Sequence, residues 1–115
     1  MEKNTTDWID WGDFSKVEIR VGTIIEAEFF TEARKPALKV RVDFGEFGVK
    51  KSSAQITALY EPSDILGRQV LAVVNFKPKQ IANFMSECLI LGVMGNEEVI
   101  LLQPDRNVPN GLRIG

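Results

Sequence analysis

The sequence predicts an all-β chain folded as a small barrel, and three observations carry that expectation. Apolar residues recur with a period of two from Val17 to Phe29 and again from Leu38 to Phe44, the pattern of half-buried strands. Gly22 falls in the middle of the first run, where a glycine allows the bulge or sharp bend that curves a long strand. Later segments are short, apolar on both faces and separated by Gly, Pro and Asn, as expected of strands covered on two sides.

The elements follow in order. A turn or short helix at Trp11 to Ser15 leads into a first strand with Val17, Ile19, Val21, Ile25, Ala27 and Phe29 on one face. Glu18, Arg20, Glu26 and Glu28 occupy the other. The charged loop Thr31-Glu32-Ala33-Arg34-Lys35-Pro36 closes a hairpin onto a second strand, with Leu38, Val40, Val42 and Phe44 inward and Lys39, Arg41 and Asp43 outward. Past Gly45 and Gly48 comes a third strand around Val49 to Ser52, then a helix from Ala54 to Tyr60 capped by Ser53, with Ile56, Leu59 and Tyr60 on one face. Pro62 and Gly67 bracket a turn before Gln69 to Phe76, and Gly95-Asn96 separates Cys88 to Met94 from Val99 to Leu102. Five strands, the first long and bent, with a short helix between the third and fourth, is the element order of the OB-fold, a five-stranded Greek-key barrel; another small barrel or a sandwich fits the strand count equally, and the choice falls to the resemblance given below.

At 115 residues the chain is read as one domain spanning 1–115, since a second core does not fit in that length. Its 14 basic and 16 acidic residues give a net charge of −2, but the charges are unevenly placed. Residues 31–80 hold nine bases and five acids, whereas residues 1–30 hold three and seven. Cys88 is the only cysteine, so no disulfide forms within the chain and a reducing compartment suits it. No basic, then apolar, leader opens the sequence and no run of 18 apolar residues occurs, so a cytoplasmic protein without membrane insertion is expected. In that compartment the sequon Asn4-Thr5-Thr6 carries no meaning.

Catalysis is poorly supported. The chain has no histidine, the commonest general base and metal ligand. Ser86 has no base partner, Cys88 lies in an apolar strand that keeps a thiol protonated and inert, and no glycine-rich phosphate loop occurs. No catalytic residue, metal or cofactor is expected.

The informative segment is the connector in VNFKPKQIANFMSECLILG, residues 74–92. Corners of this kind take two to five polar residues. This one carries Lys77 and Lys79 around Pro78, with Asn75 and Ser86 at its ends and Ile81, Phe84 and Met85 inside it. With Arg34, Lys35, Lys50 and Lys51, the two lysines neutralise several phosphates if the loops converge. Phe84 offers a face for base stacking. Each residue also has a plainer reading. Lysines in loops are usually only solvated, Phe84 and Met85 pack under a connector, Arg34-Lys35 guards a hairpin tip against edge pairing, and Asn75 and Ser86 satisfy backbone groups.

The stretch Asp13-Phe14-Ser15-Lys16-Val17-Glu18-Ile19-Arg20-Val21-Gly22 resembles the tRNA-binding domain family of OB-folds. Further segments, Glu32 to Ala37, Lys50 to Thr57 and Leu101 to Gly111, are similar to the CsaA-type chaperones of that family, and the resemblance runs from about Trp11 to Gly115. Glu18 stands where the family usually has Asp, and Glu87-Cys88 follows Ser86 in place of a more polar pair. The resemblance implies a small homodimer that binds unfolded or export-bound precursor polypeptides and has tRNA-binding capacity. It also implies that Asn75, Lys77 and Ser86 correspond to the asparagine, lysine and serine of the family's RNA-binding motif. The alternative is a structure-selective tRNA-binding protein with no chaperone role.

The two readings need different surfaces. RNA is met by the basic loops, through Arg34, Lys35, Lys50, Lys51, Asn75, Lys77, Lys79 and Ser86. Unfolded polypeptide needs an exposed apolar groove, for which Phe29, Phe30, Phe47, Phe84 and Met85 are the candidates. A dimer is also expected from the apolar surplus at the ends, Trp8, Ile9, Trp11, Leu112 and Ile114, packing through the C-terminal tail and the segment Ile56 to Tyr60.

Overall fold

The computed structural model describes residues 7–115; the sequon at Asn4-Thr5-Thr6 and the first residues of the expected domain lie outside the described residues. Helix α1 (Trp11–Ser15) opens with a reciprocal capping box. The Asp13 amide donates to the Asp10 carboxylate at 2.8 Å and the Asp10 amide donates to that of Asp13 at 3.2 Å. Strand β1 (Ile19–Phe29) follows, then β2 (Leu38–Asp43), a 3-10 turn Gly45–Phe47, β3 (Val49–Ala54), α2 (Pro62–Ile65) and β4 (Gln69–Val73). The remaining strands are short: β5 (Lys79–Ile81), β6 (Phe84–Ser86), β7 (Leu89–Ile90), β8 (Gly92–Met94), β9 (Val99–Leu101) and β10 (Arg113–Ile114).

The main sheet runs β3-β2-β1-β4-β7, with β10 also pairing β1. β1 pairs with β4 along Ile19 to Thr23, and on its other edge with β10 at Ile19 and Arg20 and with β2 from Thr23 onward. A nearly closed barrel of the OB type results, as expected. Closure comes from residues 86–88 lying along β3. The Ser53 amide donates to Ser86 Oγ at 3.2 Å, the Lys51 amide donates to the Glu87 carboxylate at 2.9 Å, and the Glu87 amide donates to the Lys51 carbonyl at 2.7 Å. The Ser52 hydroxyl, almost fully buried, donates to the Cys88 carbonyl at 2.9 Å. Glu87 thus helps to close the barrel.

The core is formed by Ile24, Leu38, Val40, Val42, Phe44, Ala54, Ile56, Ile65, Val70, Ala72 and Cys88. Leu38, Val40 and Val42 of β2 and Phe44 just past its end are all buried, as expected. β1 does not follow a single alternation. The register with β2 passes from Ile24 opposite Val42 to Glu26 opposite Arg41, leaving Ile25 as an extra residue. That bulge changes which side chains face inward, so Ile24 is fully buried and Ile25 is 43% exposed. Gly22, the expected site of the irregularity, has another role: a Cβ there would meet Val42 Cγ1 at 2.5 Å and the Phe44 ring at 2.7 Å.

The helix between the third and fourth strands is present but displaced. Ser53 pairs with Lys39 inside β3 and is not a cap. Ile56 and Tyr60 turn inward, and the Tyr60 hydroxyl accepts the Leu101 amide at 3.2 Å. The chain becomes helical only at Pro62, where a proline in the first turn has no amide to lose and Glu61 and Asp64 cap each other.

The bulge yields a direct test. Ile24→Ala is expected to cost about 2 to 5 kcal/mol by opening a cavity, while Ile25→Ala stays within about 0.5 kcal/mol. Urea melts of the two variants check this, and the opposite ranking rules out the bulge at Ile25.

Candidate nucleic-acid interface

The connector folds as a β-hairpin. Lys79 lies opposite Ser86, Gln80 opposite Met85 and Ile81 opposite Phe84, which leaves Ala82-Asn83 as a two-residue turn. Ala82 takes φ +52°, the left-handed conformation that such tight hairpin turns require. Pro78 sits just ahead of β5, where its missing amide takes no ladder bond. The hairpin leans on the barrel through the Ser86–Ser53 contact and through Phe84.

Two adjoining depressions run along it. One, of about 370 Å³, is lined by residues including Lys77, Lys79, Ser86, Phe76 and Leu89. The other, of about 930 Å³, has Arg34, Lys35, Ala37 and Gln80 among its walls. Ser53, Gln55, Lys79 and Ile81 belong to both, so the two form one trough. Its cations come from the β1–β2 loop and from the connector, which are distant in sequence. None of Arg34, Lys35, Lys77 and Lys79 has an ion-pair partner among the described residues. The pairs present are Arg20–Glu18, Lys39–Glu28, Arg41–Glu26 and Arg106–Asp105. Glu32 is the carboxylate on the wall, its pKa lowered by its own backbone amide and by the Thr31 hydroxyl. The floor is partly apolar, with Phe76 57% and Leu89 47% exposed.

The other candidate residues lie elsewhere or are engaged. The Asn75 amide oxygen accepts the Glu18 amide at 3.0 Å and its nitrogen donates to the Lys16 carbonyl at 2.7 Å. Asn75 therefore ties the end of β4 to the start of β1. Lys50 is opposite Val42, away from the trough. Lys51 lines a separate depression with Glu26, Glu28, Lys39, Arg41 and Phe84.

Phe84 is half-buried there. The Lys51 ammonium is 5.2 Å and the Lys39 ammonium 5.8 Å from its ring centre, with the Phe30 ring edge-on at 5.4 Å. The apolar candidates do not converge on one groove. Phe30 is buried, Phe29 is exposed beside the β1–β2 loop, and Met85 is exposed on β6. Phe47 stands past the far end of β2, with the Arg20 guanidinium 3.7 Å above its ring. Sequence reasoning missed Ser53, Gln55, Phe76, Ile81 and Leu89 as trough residues. Their signal depends on the hairpin folding back over β3, which no local pattern announces.

Two further groups have displaced pKa values. Glu18 is held low by its hydrogen bond from Arg20, 2.7 Å away. Burial raises the Cys88 thiol to about 11, so it stays protonated at neutral pH. Among the described residues no cluster of three or more His, Cys, Asp or Glu is placed to hold a metal, and no helix is long and apolar enough to cross a membrane.

A trough with four cations on its walls thus lies over a small OB-type barrel. The chain belongs to the putative tRNA-binding domain family, whose sequence model matches residues 19–113. It is 50% identical to the chaperone CsaA of Bacillus anthracis str. Ames, with a TM-score of 0.89 over 94% of this chain and 99% of that one. To the CsaA chaperone protein of Picrophilus torridus it is also 50% identical, with a TM-score of 0.88 over 94% of this chain and 100% of that one. It is 36% identical over 107 residues to a methionine–tRNA ligase of Bdellovibrio bacteriovorus, a match covering 92% of this chain but only 15% of the ligase. That similarity concerns a tRNA-binding segment of the ligase.

The Cys88 thiol makes stability fall at high pH. Below about pH 9 both folded and unfolded chains keep its proton; between about 9 and 11 only the unfolded chain loses it, so stability drops with rising pH, by at most about 1.4 kcal/mol per unit. Urea melts of the native protein and of Cys88→Ala across that range should differ in slope, the variant falling less steeply. Equal slopes refute the assignment.

Proposed function

We propose that this protein is a cytoplasmic homodimer that binds RNA of the tRNA class through the trough and also holds unfolded or export-bound polypeptides. The observation that carries the RNA reading is the convergence of four cations without ion-pair partners, Arg34, Lys35, Lys77 and Lys79, on one trough in a chain whose net charge is −2. Cations so placed meet phosphates without first breaking an ion pair. Membership of the family supports the same reading. Recognition rests first on the backbone, whose phosphates the four cations meet. Asn75 serves by fixing the connector to β1, and Ser86 by joining the hairpin to β3.

The polypeptide reading is favoured by two observations. Half of the aligned residues are shared with two CsaA chaperones over nearly the full length of each, and the floor of the trough exposes Phe76 and Leu89. A dimer is supported by the exposed apolar residues near the chain ends. Trp8, Ile9 and Trp11 are 66%, 69% and 84% exposed, and Ile9, Trp11, Phe14 and Gly115 line a further depression of about 570 Å³. The segment Ile56 to Tyr60 contributes less than its sequence promised, since Ile56 and Tyr60 face the core.

Binding of total tRNA, followed as salt is raised, tests the central claim. Lys77→Ala combined with Lys79→Ala should weaken binding and reduce the slope of log affinity against log salt by up to about two units, with little change in thermal stability because both lysines are exposed. An unchanged affinity and slope would dispose of the trough as the RNA site. Sedimentation of the full chain at micromolar concentration should give a dimer, and a monomer refutes that part of the proposal.

A further inference from the structure

Strand β5 forms one long wall of the trough and is hydrogen-bonded to β6 alone. Among the described residues its other edge carries no strand. An edge of this kind is a template for an incoming extended chain, and here it lies between Pro78, which cannot donate, and the turn at Ala82-Asn83. In a hairpin closed by a two-residue turn the flanking pair, Ile81 and Phe84, takes the ladder bonds, so by alternation the outward-facing amide and carbonyl of this edge are those of Gln80. So short a ladder has little hold by itself, and side chains must supply the rest. Around it stand an apolar floor with Ile81, Phe76 and Leu89, and the cations Arg34, Lys35, Lys77 and Lys79. Alternate residues point to opposite sides of a strand, so Lys79 and Ile81 share one face of β5, and an added segment with an acidic and an apolar residue two apart sets the first against Lys79 and the second against Ile81.

We infer that an extended, acidic polypeptide segment binds by adding a short strand to β5, and that in doing so it excludes RNA from the trough. The exclusion rests on the proposed RNA reading, because Lys79 lines both halves of the trough and lies within β5 itself. A chain laid along that edge occupies the space that phosphates need to reach Lys79, and its carboxylates take the cations. The two ligands therefore regulate each other: RNA releases polypeptide and polypeptide releases RNA.

The test uses the full-length protein and a short capped peptide in which Glu and Val take every second position in turn, with Ser or Thr between them, labelled with fluorescein and followed by anisotropy. Two control peptides accompany it, one with Lys in place of each acid and one N-methylated at alternate amides on the edge-facing side. The acidic peptide should bind, and both controls should bind about tenfold more weakly or worse, since the first loses charge complementarity and the second its main-chain donors. Unlabelled total tRNA should then displace the bound peptide completely, and unlabelled peptide should displace labelled tRNA.

Equal binding of the N-methylated peptide overturns strand addition. Peptide and tRNA bound together in one complex, seen as peptide anisotropy that rises further when tRNA is added, overturns the exclusion while leaving both binding activities in place. If labelled tRNA does not bind at all, the RNA reading fails and the exclusion with it, and the three peptides still decide the mode of polypeptide binding.

Discussion

Everything in this barrel depends on a single strand being hydrogen-bonded along both edges while it changes direction. β1 gives its first residues to β4 and β10 and the rest of its length to β2. A straight, regularly alternating strand cannot do this and keep one face in the core. The extra residue at Ile25 resolves the conflict by bending the strand, and the missing side chain at Gly22 lets Val42 and Phe44 pack directly against its backbone. With β1 so shaped, the β1–β2 loop carries Arg34 and Lys35 to the end of the barrel where the connector emerges.

Much of this was legible in the sequence. β2 reads directly, because the apolar residues from Leu38 to Phe44 are in unbroken alternation and all four are buried. The OB-type order needed the family resemblance of Asp13 to Gly22 beside the strand count, and the cations of the trough were all singled out by their loops. What could not be read depends on tertiary choice. In Ile24-Ile25 both residues are apolar, so hydropathy does not say which is the extra one. Ser53 has the chemistry of a helix cap, but pairing with Lys39 uses it in a strand. The connector hairpin was hidden by its turn, since Ala82-Asn83 lacks the glycine that usually marks a two-residue loop. The aromatic candidates were read as one surface because sequence lists them without distance; Phe47 and Phe84 are near opposite ends of the strands that separate them.

The distribution of charge explains why composition was a poor guide to partners. Lys39 and Arg41 lie on the exposed face of β2 beside Glu28 and Glu26 of β1, and those cross-strand pairs mute much of the sheet's charge. Loop cations have no such neighbours in register. A chain with more acids than bases can therefore present a positive trough, since ladder geometry pairs the charges of the strands and leaves those of the loops available.

The two banks of the trough belong to different hydrogen-bonded sheets. Arg34 and Lys35 are carried by the main sheet, and Lys77 and Lys79 by or just before the β5–β6 hairpin, which touches β3 through the bonds at Ser86 and Glu87. No ladder spans the trough from one bank to the other, so its width is a soft coordinate. Widening it falls on the contacts at the hairpin's base, which are also those that close the barrel along β3. The trough is thus a seam between two sheets, and the same few bonds of Ser86 and Glu87 set both its width and the closure of the barrel beneath it.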